Sequence, residues 1–124
     1  MHEISLCRGL LQQVIQISDE HQASVIKSIQ LKIGPLSGVE VELLKRSFPL
    51  VSQGTAAQDA TLEITIMPVT VQCNECKTKS DITGMELSCP HCDSASTTLL
   101  NGDEMTLENV VLEQHEVKVT HHVH

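Results

Sequence analysis

Two short cysteine pairs constrain the fold of this chain more than any other feature. Cys73 and Cys76 form one C-x-x-C motif, and Cys89 and Cys92 form a second one after twelve intervening residues. Zinc in proteins prefers four thiolate or imidazole ligands at the corners of a tetrahedron. Each motif supplies two sulfurs, and twelve residues suffice for a hairpin that brings the motifs together. We therefore predict that these four cysteines bind one zinc ion.

Four thiolates leave no open position for water, so the motifs favour a structural zinc over a hydrolytic one. Two alternatives use the same sulfurs: iron in a rubredoxin-like electron carrier, and a redox-active disulfide. The segment has no aromatic residue of the kind expected around rubredoxin-like iron. His91 lies inside the second motif, where it is either an exposed neighbour of the zinc, which we favour, or a replacement for one thiolate.

Composition narrows the class of protein. The 124 residues include 16 acidic and 8 basic side chains, and Phe48 is the single aromatic residue. This length and composition indicate one domain with an aliphatic core and at most a small appendage. A phosphate-binding surface needs clustered Lys and Arg, so nucleic acid is excluded as a partner. The sequence shows neither a signal-peptide pattern nor an apolar run of membrane-spanning length. We expect a cytoplasmic protein, in which cysteines stay reduced.

Periodicity predicts two helices. Apolar residues recur at helical spacing over residues 4–18. Ser37 and Glu40 are typical of a capping box that opens a second helix. Pro49 should end or kink that helix near Ser47, because proline lacks the backbone N–H and clashes with the preceding turn.

Alternating patterns predict strands over residues 24–34, 61–67 and 105–119. In the second of these we expect the apolar side chains to face inward: Leu62, Ile64 and Ile66. The fold class is then α+β, with a small sheet of about three strands, two helices on one face, and a zinc-ribbon-like module built on the four motif cysteines.

The first three residues, Met1, His2 and Glu3, offer a second metal-binding pattern. A terminal amine, the His2 backbone nitrogen and the His2 imidazole suit the planar, nitrogen-rich coordination of Ni(II) or Cu(II). Glu3 either caps its helix or orients a metal at His2. Glu40 has the same ambiguity, and we favour the cap.

The remaining cysteine and histidines have simpler interpretations. Cys7 lies on the apolar stripe of the first helix and is expected to be a buried small hydrophobe. His21 suits the negative end of that helix. A histidine-rich C-terminus either binds Ni(II), Cu(II) or Zn(II) loosely or has no role; its members are His115, His121, His122 and His124.

In their order along the chain, these parts resemble the HypA/HybF family of nickel metallochaperones of [NiFe]-hydrogenase maturation. The resemblance is carried by Met-His-Glu before a helix, a strand ending in Lys-Ile-Gly, Ser-Gly-Val-Glu, and a second knuckle that reads Cys-Pro-His-Cys. It implies that His2 is the essential nickel ligand, helped by the Met1 amine and nearby backbone amides, with Glu3 adjacent. It implies a structural zinc on the four clustered cysteines.

The resemblance also implies partners, and the cysteine-rich segment, which has few core-forming residues, predicts a domain division. The partners would be a HypB-like GTPase, the hydrogenase large subunit and, in some members, urease accessory proteins. Residues 1–70 and 101–120 would form the nickel-binding α/β domain, residues 71–100 the zinc-binding module and residues 121–124 a histidine-rich tail. We expect a monomer or weak homodimer and no enzymatic activity. The alternative is a zinc-ribbon interaction module with no nickel role.

Overall fold

A computed structural model describes residues 2–82, 86–113 and 116–122, with side chains for all of these except residues 2 and 120–122. This part of the chain forms two helices and seven strands. In chain order they are α1 (His2–Glu20), β1 (Ile26–Ile33), α2 (Val41–Val51), β2 (Thr61–Ile66), β3 (Val69–Cys73), β4 (Lys79–Ile82), β5 (Thr97–Asn101), β6 (Met105–Leu112) and β7 (Glu116–His122).

The larger sheet has the strand order β2-β1-β6-β7. Strands β1 and β2 are parallel, whereas β6 pairs antiparallel with both β1 and β7. A parallel pair cannot be joined by a tight turn, and α2 makes the crossover. Ile29, Leu31 and Ile33 of β1 are buried and alternate with half-buried polar residues. This alternation leaves β1 at the centre of the core.

The core lies between the helices and one face of the larger sheet. Helix α1 buries Cys7, Leu10 and Val14, which recur at helical spacing, and α2 buries Leu44 and Phe48. The opposite face of the sheet carries polar cross-strand contacts. On that face the amide of residue 30 donates to the carboxylate of residue 63 (2.6 Å), and an ion pair of 2.7 Å joins residues 32 and 108.

The predicted fold class is confirmed, with a sheet of four strands instead of about three. Residues 105–119 were expected to form one strand, and the chain instead reverses between β6 and β7. The reversal lets Val117 and Val119 pack against the same core that β6 lines. A single continuous strand would carry both valines away from that core.

Helix α2 departs from its predicted boundaries at both ends. The predicted capping box is wrong: Ser37 Oγ accepts the N–H of Val39 (3.3 Å), and the N-cap residue Glu40 makes no side-chain cap bond. We predicted an end or a kink near Ser47, and the end is wrong, because the helix continues through Pro49 to Val51. Pro49 lies on the exposed face of α2, near the C-terminal end of that helix. There it removes one backbone hydrogen bond of the helix and lets Phe48 stay in the core.

Strand β2 lies at one edge of the larger sheet and is less buried than the sequence predicts. Leu62 and Ile64 are half-buried, as the alternation requires. Ile66 is 55% exposed, so its predicted inward position is wrong. It is the last residue of an edge strand.

The smaller sheet has the order β4-β3-β5, with both pairs antiparallel. It meets the larger sheet at two glycines. Gly34 follows β1, and an added Cβ there would lie 2.2 Å from the backbone carbon and oxygen of Gly102. The N–H of Gly34 donates to the Glu104 carbonyl (2.9 Å), and the N–H of Leu36 donates to the Gly102 carbonyl (2.7 Å). The junction is therefore a direct backbone contact.

Candidate metal centre

The four motif cysteines converge at one end of the smaller sheet. All four Sγ atoms lie within 4.8 Å of one another. Cys73 Sγ lies 3.6 Å from Cys92 Sγ, and Cys76 Sγ lies 3.7 Å from Cys89 Sγ. A tetrahedron with Zn–S bonds of about 2.3 Å has edges of about 3.8 Å. The distances between the sulfurs therefore fit four ligands arranged tetrahedrally around one zinc ion.

The first knuckle is a tight turn that follows β3. Cys73 donates its N–H to the Thr78 carbonyl and accepts the N–H of Lys77 at its own carbonyl, both at 3.0 Å. Lys77 has a positive φ of 65°, which reverses the chain. Cys73 Sγ accepts the N–H groups of Glu75 and Cys76, both at 3.4 Å. Such donors stabilise a thiolate.

The second knuckle repeats this backbone pattern before β5. Cys89 donates its N–H to the Ser94 carbonyl and accepts the N–H of Asp93, both at 2.8 Å, and Asp93 has a φ of 64°. The backbone N–H of His91 donates to Cys89 Sγ (3.4 Å), while the His91 side chain is exposed. The described residues that can share one ion here are the four cysteines alone. The favoured interpretation of His91, as a neighbour of the metal, fits this arrangement.

The thiols of Cys73, Cys76 and Cys92 differ in acidity. The N–H of Cys76 contributes most to a lowered pKa for Cys73. The Thr78 side chain and then its N–H lower the pKa of Cys76 to about 6. For Cys92 the Ser94 N–H acts in the lowering direction, but the neighbouring thiol of Cys73 and burial raise the pKa to about 12. Crowded thiols cannot all ionise without a cation, so the cluster has the chemistry of a metal site.

The cluster is closed on one side. Cys73 and Cys89 are buried, whereas Cys76 and Cys92 are exposed. A tetrahedral ion bound by all four sulfurs would have no position left for a water nucleophile. This donor set suits structural zinc and supplies no hydrolytic chemistry.

His2 and Glu3 of the N-terminal pattern lie on α1, in the larger-sheet part of the chain. His2 is the first residue of α1, and Met1 lies outside the described residues. Glu3 is only 5% exposed, and its Oε2 accepts the backbone N–H of Glu40 at 3.1 Å. The Glu3 carboxylate thus contacts the start of α2.

Sequence reasoning missed this contact. Glu3 and Glu40 are 37 residues apart, and a hydrogen bond from a side chain to a distant backbone N–H leaves no periodicity or motif. The buried position of a glutamate in the first turn of a helix becomes visible only when α2 is in place.

Cys7 is fully buried, which confirms its predicted place in the core. Its Sγ donates to the Leu44 carbonyl (3.7 Å). Burial, and then the charge of Glu3, raise its pKa to about 11. A thiol that stays protonated is a poor nucleophile and a poor metal ligand.

The C-terminal histidines fall partly within β7. The backbones of His121 and His122 pair with β6 residues Leu107 and Thr106. His115 and His124 lie outside the described residues.

The fold and the cysteine cluster define a class: a small α+β protein with a separate four-cysteine metal-binding module. The family described as "Hydrogenase/urease nickel incorporation, metallochaperone, hypA" matches residues 1–112. The chain belongs to this HypA family, whose members are metallochaperones.

Individual relatives agree with that assignment. A hydrogenase maturation factor HypA of Nitrosospira multiformis is 41% identical over 112 residues, which cover 90% of this chain and 97% of that protein. The HypA of Aquifex aeolicus is 33% identical over 113 residues, covering 91% and 98%.

Two solved structures share the fold. The solution structure of the Ni metallochaperone HypA from Helicobacter pylori has a TM-score of 0.64 at 23% identity, covering 87% of this chain and 94% of that one. A second, the solution structure of a HypA protein, has a TM-score of 0.69 at 24% identity, covering 89% and 94%.

Proposed function

We propose that this chain binds Ni(II) at its N-terminus and delivers it to the large subunit of a [NiFe]-hydrogenase during maturation. The ligands would be the Met1 amine, the His2 imidazole and the backbone nitrogens of His2 and Glu3. The observation that carries the proposal is the separation of roles. The four clustered cysteines form a closed set suited to zinc, and membership of a nickel-incorporation family supports a second site for nickel.

Coordination chemistry supports the N-terminus as that site. A nickel carrier must bind the ion and yet release it to a target, and a terminal amine and imidazole can be exchanged one ligand at a time. Both must lose a proton to bind, so acid weakens the complex. The zinc on Cys73, Cys76, Cys89 and Cys92 would stabilise the smaller sheet and take no part in transfer.

The proposal places the protein in the cytoplasm, beside the other hydrogenase maturation proteins. Within the described residues neither helix is long and apolar enough to cross a membrane. A HypB-like GTPase is the proposed partner in delivery, and urease accessory proteins are proposed recipients where urease is present. No catalytic step is assigned to the chain itself.

Nickel titration of untagged protein tests the proposal. His2→Ala should abolish stoichiometric binding while zinc content and fold persist. His21→Ala is the matched control, because it removes a histidine at the other end of α1. The C-terminal histidines are best replaced by glutamine in every sample, because deletion would remove paired residues of β7.

Unchanged nickel binding in His2→Ala would refute the proposal. If the wild-type protein binds no nickel at all, the result favours the alternative of a zinc-ribbon interaction module. Transfer is tested separately by mixing the nickel-loaded protein with nickel-free large subunit and measuring nickel in each after separation. Nickel that stays on the carrier would contradict delivery.

A further inference from the structure

Two contacts join the first turns of α1 to the first turn of α2. The Glu3 carboxylate accepts the Glu40 N–H (3.1 Å), and four residues later Cys7 Sγ donates to the Leu44 carbonyl (3.7 Å). The Leu44 N–H donates to the Glu40 carbonyl (2.9 Å), which is the first hydrogen bond of α2. Both contacts therefore engage one helical turn of α2.

The position of the Glu3 carboxylate is electrostatically favourable. The start of a helix presents unpaired N–H groups and a partial positive charge, and a carboxylate there is stabilised. Glu3 as a whole is 5% exposed, so its side chain is largely enclosed by protein. Glu3 and Cys7 lie four residues apart on α1, so their side chains are neighbours on one face of the helix.

The Glu3 carboxylate and the Glu3 backbone face different parts of the molecule. The side chain points to α2, whereas the backbone continues the helical turn that begins at His2. An ion bound by Oε2, the oxygen that accepts the Glu40 N–H, would lie at the start of α2. An ion bound by the terminal amine, the imidazole and backbone nitrogens does not need that position.

We infer that Glu3 is a positioning residue for nickel: its carboxylate fixes the first turn of α1 against the start of α2 and is not itself a nickel ligand. The inference rests on the proposed function, because it assigns His2 and the terminal amine as the ligands. It predicts that the chemical nature of the nickel complex does not depend on the Glu3 carboxylate, whereas the strength of binding does.

Two Glu3 variants and one control test this. Glu3→Ala removes the acceptor, and Glu3→Gln keeps an amide oxygen that can accept the same N–H. Glu42→Ala is the matched control, because Glu42 is an exposed carboxylate in the first turn of α2. Three quantities are measured on untagged, zinc-loaded protein: hydrogen exchange of the Glu40 amide by NMR without nickel, the nickel dissociation constant, and the nickel absorption spectrum.

In Glu3→Ala the Glu40 amide should exchange about tenfold faster, and the nickel dissociation constant should rise about tenfold, because a partly buried donor loses its partner. In Glu3→Gln the dissociation constant should change by no more than about threefold, since only the charge at the helix start is lost. Glu42→Ala should match the wild type. The nickel spectrum should be the same in all four proteins.

A changed nickel spectrum in Glu3→Gln would overturn the inference, because it would show that the carboxylate binds the ion. Wild-type affinity in Glu3→Ala would overturn the positioning role, and unchanged Glu40 exchange would overturn the contact. If Glu3→Ala does not fold, the spectrum of Glu3→Gln decides. A wild-type protein that binds no nickel refutes the proposed function, while Glu40 exchange still tests the contact.

Discussion

Gly34 lies where the two sheets meet, and we predict that Gly34→Ala destabilises the protein by about 2–4 kcal/mol. The new Cβ would lie 2.2 Å from the backbone carbon and oxygen of Gly102, whereas real Cβ contacts essentially never fall under 3.0 Å. The neighbour is backbone and cannot rotate away, so one chain segment must move by about 1 Å.

That movement acts on two short hydrogen bonds, from Gly34 N–H to the Glu104 carbonyl and from Leu36 N–H to the Gly102 carbonyl. Each bond contributes about 1 kcal/mol net, and a buried group left unpaired costs about 1–3 kcal/mol. The predicted loss is a large share of the roughly 5–15 kcal/mol by which small domains are stable.

Urea unfolding with zinc present measures this free energy, and the dependence on urea concentration should stay unchanged. Gly9→Ala is the control. Gly9 lies inside α1 with nothing within 4 Å of an added Cβ, so alanine there should stabilise by up to about 1 kcal/mol. If the free energy of unfolding of Gly34→Ala lies within about 0.5 kcal/mol of the wild-type value, the described junction is wrong.

Three further predictions concern the cluster, the core and pH. Cys73→Ala should lose stoichiometric zinc and loosen the smaller sheet, and full zinc content by elemental analysis would contradict the assignment. Leu10 is fully buried, and Leu10→Ala should lower the free energy of unfolding by about 2–5 kcal/mol. Leu50 is 73% exposed, and Leu50→Ala should lower it by under about 0.5 kcal/mol. Burial, then the charge of Glu3, raise the pKa of Cys7 from 9.0 to about 11, so between these values the unfolded thiol loses its proton and the folded one keeps it. The free energy of unfolding should therefore fall as pH rises through that window, and Cys7→Ala in reducing buffer should flatten the fall; an equal fall in both proteins would refute this cause.

The sequence predicted what periodicity and spacing can encode. The helical spacing of Cys7, Leu11 and Val14 predicted α1, and the alternation over residues 24–34 predicted a half-buried strand there. The cysteine spacing predicted convergence of the four sulfurs, because a C-x-x-C turn is local and needs only one hairpin to meet its counterpart.

The errors arose where distant parts of the chain decide the outcome. The predicted capping box at Ser37 and Glu40 does not form, because the Glu3 carboxylate of α1 accepts the Glu40 N–H. Burial of Phe48 outweighed the helix-breaking tendency of Pro49. The reversal between β6 and β7 depends on a core that already exists, and the contact of Gly34 with Gly102 has no signature beyond two glycines.

Nickel and zinc are proposed to occupy two chemically different sites, and X-ray absorption at both metal edges distinguishes their ligands. The sample is untagged protein loaded with one nickel and one zinc, with the C-terminal histidines replaced by glutamine. We expect zinc with four sulfurs at about 2.3 Å and nickel in a planar set of nitrogen ligands without sulfur. Sulfur bound to nickel, or fewer than four sulfurs on zinc, would contradict it.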